Sequence, residues 1–368
     1  MDFSAEHPRR LEDLRRELVR AGKSAYLGAS PITMGYLQGF WEGGGERFLL
    51  LAVHADGRTC MICPGLSATQ AARCGIADVR PWNDGEDPLA LFAELAGEWG
   101  IREGRLVVDN DMGAWQVLAM QAVLPRADFA PGHPVMSPVM RRKSPVEIAC
   151  LLEVGRIADE AFTDVLGSIH IGMAEQDVAR LVLDTMGRLG GSPTFCIAAA
   201  GVNSAEPHHH SDGTLLQEGD ALILDFGCAV DGYQSDITRT VVLGAPDDEL
   251  ARVYGIVHAA HMAGRRAVRP GLPGQDVDRA ARGVIEAAGF APRFMHRTGH
   301  GIGLRGHEEP YIIEGNGQGL AAGECFSIEP GIYLPGRFGV RVENCVVCTA
   351  EGHRSLNAEP SPVLLAVR

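Results

Sequence analysis

Asp225 and Asp236 are the residues from which a reading of this sequence's chemistry starts. Asp225 ends the apolar run Leu222-Ile223-Leu224, and Asp236 precedes Ile237–Leu243, a run rich in Thr and Val, with Asp231-Gly232 between them. That pattern predicts two adjacent strands of one buried hairpin, reversed at an Asp-Gly turn. A carboxylate at the end of a buried apolar strand is unfavourable unless something pairs with it. Two such acids facing each other repel unless a cation lies between them.

Four further stretches carry metal-competent side chains: Pro207-His208-His209-His210, His296 to Pro310 with His300 and His307 inside it, Ser327-Ile328-Glu329, and Val340-Arg341-Val342-Glu343-Asn344. Glu329 and Glu343 interrupt strand-type residues, Phe326 and Ile328 in one case and Val340 and Val342 in the other. Four buried carboxylates and one imidazole converging on a sheet face call for multivalent cations. Two divalent ions would neutralise the four acids, with carboxylates and a water bridging metals ~3.5–4 Å apart. Oxygen-rich ligands with one nitrogen favour Mn, Co, Fe or Zn over metals that prefer thiolate.

In this order and these contexts, Asp225, Asp236, His300, Glu329 and Glu343 resemble the ligand set of metallopeptidase family M24, the pita-bread peptidases. The resemblance covers about residues 145–368, and the first part of the chain is more loosely similar to the creatinase-like domain of the proline-specific branch. It implies that Asp225 binds one metal, that His300 and Glu329 bind the other, and that Asp236 and Glu343 bridge. The non-ligand histidines map to His208, His296 and His307, and an arginine to Arg341. With all five ligands present, the creatinase branch, which has lost its metals, is disfavoured. Asn344 departs from the acidic residue common after the bridging glutamate.

The resemblance further implies hydrolysis of an Xaa-Pro bond, most simply in dipeptides, by a metal-bridging hydroxide. Two metal ions are implied, with manganese first. Glu329 would move protons, and His208 and His307 would hold the developing oxyanion. Length and the absence of extra insertions favour a prolidase-type dipeptidase over aminopeptidase P, the alternative for longer Xaa-Pro-Yaa peptides. A lyase or a binding protein on the same fold is the reading from other classes. A homodimer is implied as well.

Other motifs carry less. Gly301-Ile302-Gly303-Leu304-Arg305-Gly306 fits a dinucleotide fingerprint, but no suitable strand precedes it and Glu308-Glu309-Pro310 cannot continue a helix. Cys60/Cys63 and Cys345/Cys348 have zinc-type spacing, yet residues three apart on a strand point to opposite faces, which predicts buried thiols. His209 and His210 read as solvated loop residues, and His258 and His261 as satisfied surface or core histidines.

The elements that must position the site follow from periodicity. Amphipathic or capped helices are predicted at 8–22, 88–99, 114–124, from Pro145 onward, at 174–189, 248–268 and 274–288, with strands at 25–27, 47–54, 58–63 and 106–109. Ser144, Pro145 and Glu147 form a capping box. Pro131, Pro134 and Pro138 are read as breaking regular structure at a domain boundary. The fold class is α+β: an α/β domain over 1–137 without catalytic residues, then a catalytic domain over 138–368 with helices then sheet, twice.

Net charge is −14, from 33 basic and 47 acidic residues, which argues against nucleic acid and anionic membranes as partners. No apolar run approaches a membrane span, and the N-terminus lacks the layout of a signal peptide. Nine cysteines, an odd number, fit reduced thiols in a cytoplasm.

Overall fold

The computed structural model describes residues 2–367, and the chain divides into two compact units, Met1–Met140 and Arg141–Arg368. The first holds six strands, β1 (Ala25–Gly28), β2 (Leu50–His54), β3 (Thr59–Pro64), β4 (Val79–Trp82), β5 (Arg105–Val108) and β6 (Asp128–Pro131), in the order β4-β3-β2-β1-β5-β6. Helices α1 (His7–Arg20), α2 (Pro31–Gln38), α3 (Gly65–Arg73), α4 (Pro88–Glu98), α5 (Ala114–Val123) and α6 (His133–Met140) accompany them. Alternate residues Leu50, Ala52, Cys60 and Ile62 pack with Phe92, Leu95 and Met120. Among the described residues of this unit the one deeply buried carboxylate, Asp109, accepts from Thr33 Oγ1 at 2.8 Å, from the amides of Ala29 and Ser30 at 2.7 and 2.8 Å, and from the Tyr26 hydroxyl. It anchors the start of α2.

The prolines expected to break structure do not all do so, because Pro134 and Pro138 lie within α6. Pro138 removes only one hydrogen bond from an eight-residue helix, and burial of Val135, Met136, Val139 and Met140 holds it together.

The second unit opens with α7 (Pro145–Leu166), started by the Ser144–Glu147 capping box, and continues with α8 (Glu175–Arg188). Strands β7 (Ser192–Ala200), β8 (Ala221–Val230), β9 (Tyr233–Gln234) and β10 (Ile237–Leu243) follow, then α9 (Asp248–Ala267) and α10 (Gly274–Ala287). The rest is strand-rich: β11 (Gly299–Gly301), β12 (Glu308–Ile312), β13 (Cys325–Ile328), β14 (Gly331–Leu334), β15 (Phe338–Arg341), β16 (Asn344–Thr349), β17 (Gly352–Ser355) and β18 (Leu365–Val367). One sheet runs β18-β10-β8-β7, with β9 on β8, and another runs β12-β11-β13-β16-β17. This is the pita-bread fold.

Alternation along the strands aims the site residues. Leu222, Leu224, Phe226 and Cys228 bury against α7 and α8, so the period of two turns Asp225 to the opposite face. Phe326, Ile328, Val346 and Cys348 join a core with Val277 of α10, which leaves Ser327 and Cys345 on the other face. Polar residues of the two sheets then meet directly, with Thr238 Oγ1 donating to Glu343 Oε2 at 2.6 Å.

Three positional expectations need correction. Asp225 lies in the middle of β8 rather than at its end, and its cross-strand partner is Thr238, not Asp236. Asp236 does sit just before β10, as expected. Glu329 and Glu343 stand at strand junctions, after β13 and before β16, rather than inside core strands.

Candidate metal centre

Asp225, Asp236, His300, Glu329 and Glu343 converge on one cavity of about 670 Å³, which His208, His296, His307 and Arg341 also line. Ligand-capable atoms of Asp225, Asp236 and Glu343 lie within 4.8 Å of one another, and so do those of His300, Glu329 and Glu343. Glu343 belongs to both triads. His300, Asp236 and His307 form a third such group.

His300 is held between two glycines that a side chain cannot replace. A Cβ on Gly299 would lie 1.9 Å from the Ser327 carbonyl oxygen, and one on Gly301 2.2 Å from that of Glu309. The Gly-x-Gly spacing therefore serves close strand packing around the imidazole, not a dinucleotide. His300 Nδ1 donates to the Gly301 carbonyl at 3.1 Å, because a carbonyl can only accept. Its Nε2 lone pair then faces Glu329 Oε1 at 3.3 Å and Asp236 Oδ2 at 3.5 Å.

Acceptors pointed at acceptors are repulsive. Asp225 Oδ1 and Glu343 Oε1 are also buried without a hydrogen-bond partner among the described residues, a costly state for charged oxygens. Burial, reinforced by Glu343 and Asp225, pushes the Asp236 carboxyl well above its ordinary range. Burial likewise raises Glu343, lifts Glu329 to about 7, and drops the His300 imidazole to about 3. The donor set, four carboxylates and one neutral imidazole, fits divalent cations.

Arg341 organises the wall behind this cluster. It donates from Nη2 to Asp225 Oδ2 at 2.5 Å, from Nη1 to the Tyr333 hydroxyl at 2.7 Å, and from Nε to Thr238 Oγ1 at 3.1 Å. Tyr333 lies 2.9 Å from His296 Nε2, and His296 Nδ1 donates to the Arg297 carbonyl at 2.7 Å. His296 is thus fixed at both nitrogens, and burial lowers it to about 4. His307 is exposed, its ring centroid 3.9 Å from that of His300, and His208 is exposed on the opposite loop.

Two things escape a reading of the sequence alone. Phe195 and Ile197 of β7, Gln234, Met295 and Arg297 also line the cavity. Only the alternation of Phe195 and Ile197 on a strand hinted at a shared face. His209 is not a solvated loop residue: its Nε2 lies 2.7 Å from Oε2 of Glu175, a fully buried carboxylate. Glu175 Oε1 also accepts from the Ala200 amide at 2.7 Å and from Asn203 Nδ2 at 3.1 Å. This clamp holds the loop that carries His208. Glu175→Ala leaves those donors without an acceptor and is expected to destabilise the protein by about 2–4 kcal/mol, read from urea unfolding at constant m. A change below about 0.5 kcal/mol would remove Glu175 from this role.

With fold and site in view, the comparisons with known proteins agree. Residues 149–350 match Metallopeptidase family M24, and residues 10–139 match the Creatinase/Prolidase N-terminal domain. The chain belongs to metallopeptidase family M24 and is a hydrolase of that family. It is 36% identical to the probable dipeptidase PepE of Mycobacterium tuberculosis over 99% of this chain and 98% of that one. Similarity to the Xaa-Pro dipeptidase of Lactobacillus helveticus is 34% identity over 90% of this chain and 91% of that one. The crystal structure of dipeptidase PepE from Mycobacterium ulcerans superposes with a TM-score of 0.93, at 35% identity, covering 99% of this chain and 98% of that chain.

Proposed function

We propose that this protein is a metal-dependent Xaa-Pro dipeptidase that works with two divalent ions. The observation carrying the reading is the convergence of four carboxylates and the His300 lone pair on one cavity, with two carboxylate oxygens lacking any other partner. Asp225, Asp236, His300, Glu329 and Glu343 are the residues that would hold them. Manganese is our assignment for both. When bound, the ions supply Lewis acidity that polarises the scissile carbonyl and acidifies a water.

The chain's own residues do the rest. Glu329 accepts the water's proton and delivers it to the leaving proline nitrogen. His208 and His307, exposed at the cavity wall, donate hydrogen bonds to the oxygen of the scissile carbonyl as charge develops on it. His296, bonded at both nitrogens, holds the Tyr333–Arg341 network behind Asp225 rather than touching substrate. Phe195, Ile197 and Met295 offer apolar surface to the substrate's side chains. An Xaa-Pro amide nitrogen carries no N–H, so selection rests on that shape.

A cytoplasmic homodimer belongs to the same reading, supported for the compartment by nine free cysteines. The test is hydrolysis of Met-Pro, Met-Ala and Met-Pro-Ala with added Mn²⁺, Co²⁺ or Zn²⁺. Cleavage of Met-Pro alone is the expected result. Cleavage of the tripeptide moves the protein to aminopeptidase P, and no turnover of any peptide overturns the reading.

A further inference from the structure

His261 is bonded at one ring nitrogen only, although the sequence reads it as a satisfied histidine. Its side chain is fully buried on α9, and Nδ1 donates to the Ile328 carbonyl at 2.9 Å. Nε2 therefore carries the lone pair, and it has no hydrogen-bond partner among the described residues. Burial and the neighbouring Arg265 drop the imidazole well below its ordinary range, which keeps it neutral. Two more buried atoms share this state. Asn344 bonds through Nδ2 to Ser355 Oγ at 3.0 Å and to the Ala358 carbonyl at 2.9 Å, and its Oδ1 is left over. Arg265 forks onto Glu359 through Nη1 and Nη2, at 2.5 and 2.6 Å, and its Nε is left over.

The fold brings the three together. Asn344, Val346 and Cys348 alternate onto the sheet face that also carries Ile328, the strand partner of Asn344. Helix α9 presses on that face: a Cβ on Gly264 would stand 3.0 Å from the Ile328 side chain. His261 and Arg265 bracket Gly264 one helical turn apart, and so share a side of α9. The chain after β17 closes the space. There the Ala358 carbonyl accepts from Asn344 and also from Arg239 Nη2 at 3.1 Å, and Glu359 beside it takes Arg265. Two of the three leftover atoms accept and the other donates a single hydrogen, so they cannot satisfy one another. A water supplies what they need: O–H donors for His261 Nε2 and Asn344 Oδ1, and a lone pair for Arg265 Nε. About three hydrogen bonds is what a buried water ordinarily makes.

We propose that one buried water bridges His261, Asn344 and Arg265, and that this bridge positions Glu329 and Glu343. Ile328 precedes Glu329 and Asn344 follows Glu343, so the water ties α9 to both strand junctions that present those carboxylates. The positioning role rests on the two-ion reading above, whereas the water itself does not. His261 touches no substrate; it acts through the backbone next to each glutamate.

The first test is a high-resolution crystal structure of the full chain. A water oxygen within about 3.2 Å of His261 Nε2, Asn344 Oδ1 and Arg265 Nε is the expected result. Dry space there, or side chains turned so that the protein pairs these atoms itself, overturns the proposal. The second test is calorimetric titration of the chelator-treated full chain and its variants with Mn²⁺. His261→Leu binds Mn²⁺ about 10- to 100-fold more weakly. His261→Gln, whose amide donates to the Ile328 carbonyl and accepts from the water, stays within about 3-fold of the parent. Asn344→Ala removes an acceptor at the other junction, shows a loss of the same order as His261→Leu, and serves where that variant does not fold. Equal losses in His261→Leu and His261→Gln, or no loss in His261→Leu and Asn344→Ala, overturn the positioning role. The water in parent crystals, with no Mn²⁺ bound by the parent, fails the two-ion reading and keeps the bridge. Mn²⁺ bound by a parent whose crystals show no such water does the reverse.

Discussion

Asp236→Asn is expected to lose bound divalent metal and to lower peptidase turnover by about a thousand-fold or more, while making the metal-free protein more stable than the parent. The first effect follows from removing an oxygen common to two ligand groups. Lewis-acid stabilisation amounts to several kcal/mol, and each 1.36 kcal/mol is tenfold in rate. The second effect has the opposite sign because the parent buries acids that repel each other. Asp236 is 8% exposed, and the neighbouring oxygens Asp225 Oδ1 and Glu343 Oε1 have no donor. An asparagine N–H supplies one.

The pH dependence sharpens this. Burial, then Glu343 and Asp225, raise the folded-state pKa of Asp236. In the window above the unfolded value of about 3.9 and below the raised one, the folded state holds a proton that the unfolded state has lost. The parent is therefore most stable at acid pH, and its stability falls as pH rises through the folded value. The margin of Asp236→Asn over the chelator-treated parent therefore grows as pH rises from the unfolded value toward the raised folded one. Metal content by atomic emission, turnover of Met-Pro and urea midpoints after chelation measure the three arms. A fully active, metal-replete variant would take Asp236 out of the centre.

Lys143→Met is expected to destabilise the protein by about 3–5 kcal/mol, because it strips one partner from a buried ion pair. Lys143 Nζ bonds Glu308 Oε1 and lies 3.3 Å from the Arg141 carbonyl, with 1% of its side chain exposed. Glu308 directly follows His307, so the pair also fixes the turn that presents this histidine. The double variant Lys143→Met/Glu308→Gln, with no uncompensated charge left, should recover most of the loss. Urea midpoints at constant m decide the matter: if the two single losses simply add in the double variant, the pair is not the mechanism.

Local chemistry made much of this molecule legible in its sequence. The Ser144–Glu147 capping box, the Asp231-Gly232 reversal with Asp231 at a φ of 49°, and the helical period of 274–288 all act over a few residues, and each stands in the structure. The convergence of acids and histidines on one cavity followed from the cost of burying them. What the sequence did not disclose depends on partners far along the chain. His209 looks like any loop histidine until Glu175, 34 residues earlier, is placed beneath it. Register is non-local too, which is why Asp225 was expected opposite Asp236 and is found opposite Thr238.

The seam between the two sheets has a consequence for how long the protein lasts. Thr238 and Glu343, 105 residues apart, bond through side chains, while the Glu343 amide donates to the Thr238 carbonyl at 3.1 Å and Arg239 Nη1 reaches the Glu343 carbonyl at 2.5 Å. On the proposed reading, bound ions would clasp this seam from the cavity side, joining β8 and β10 to β13 and β16. Ions that bind only the folded chain stabilise it by mass action. Metal supply would then govern survival against cellular proteases as well as turnover, and a chelating inhibitor would clear the enzyme in addition to silencing it.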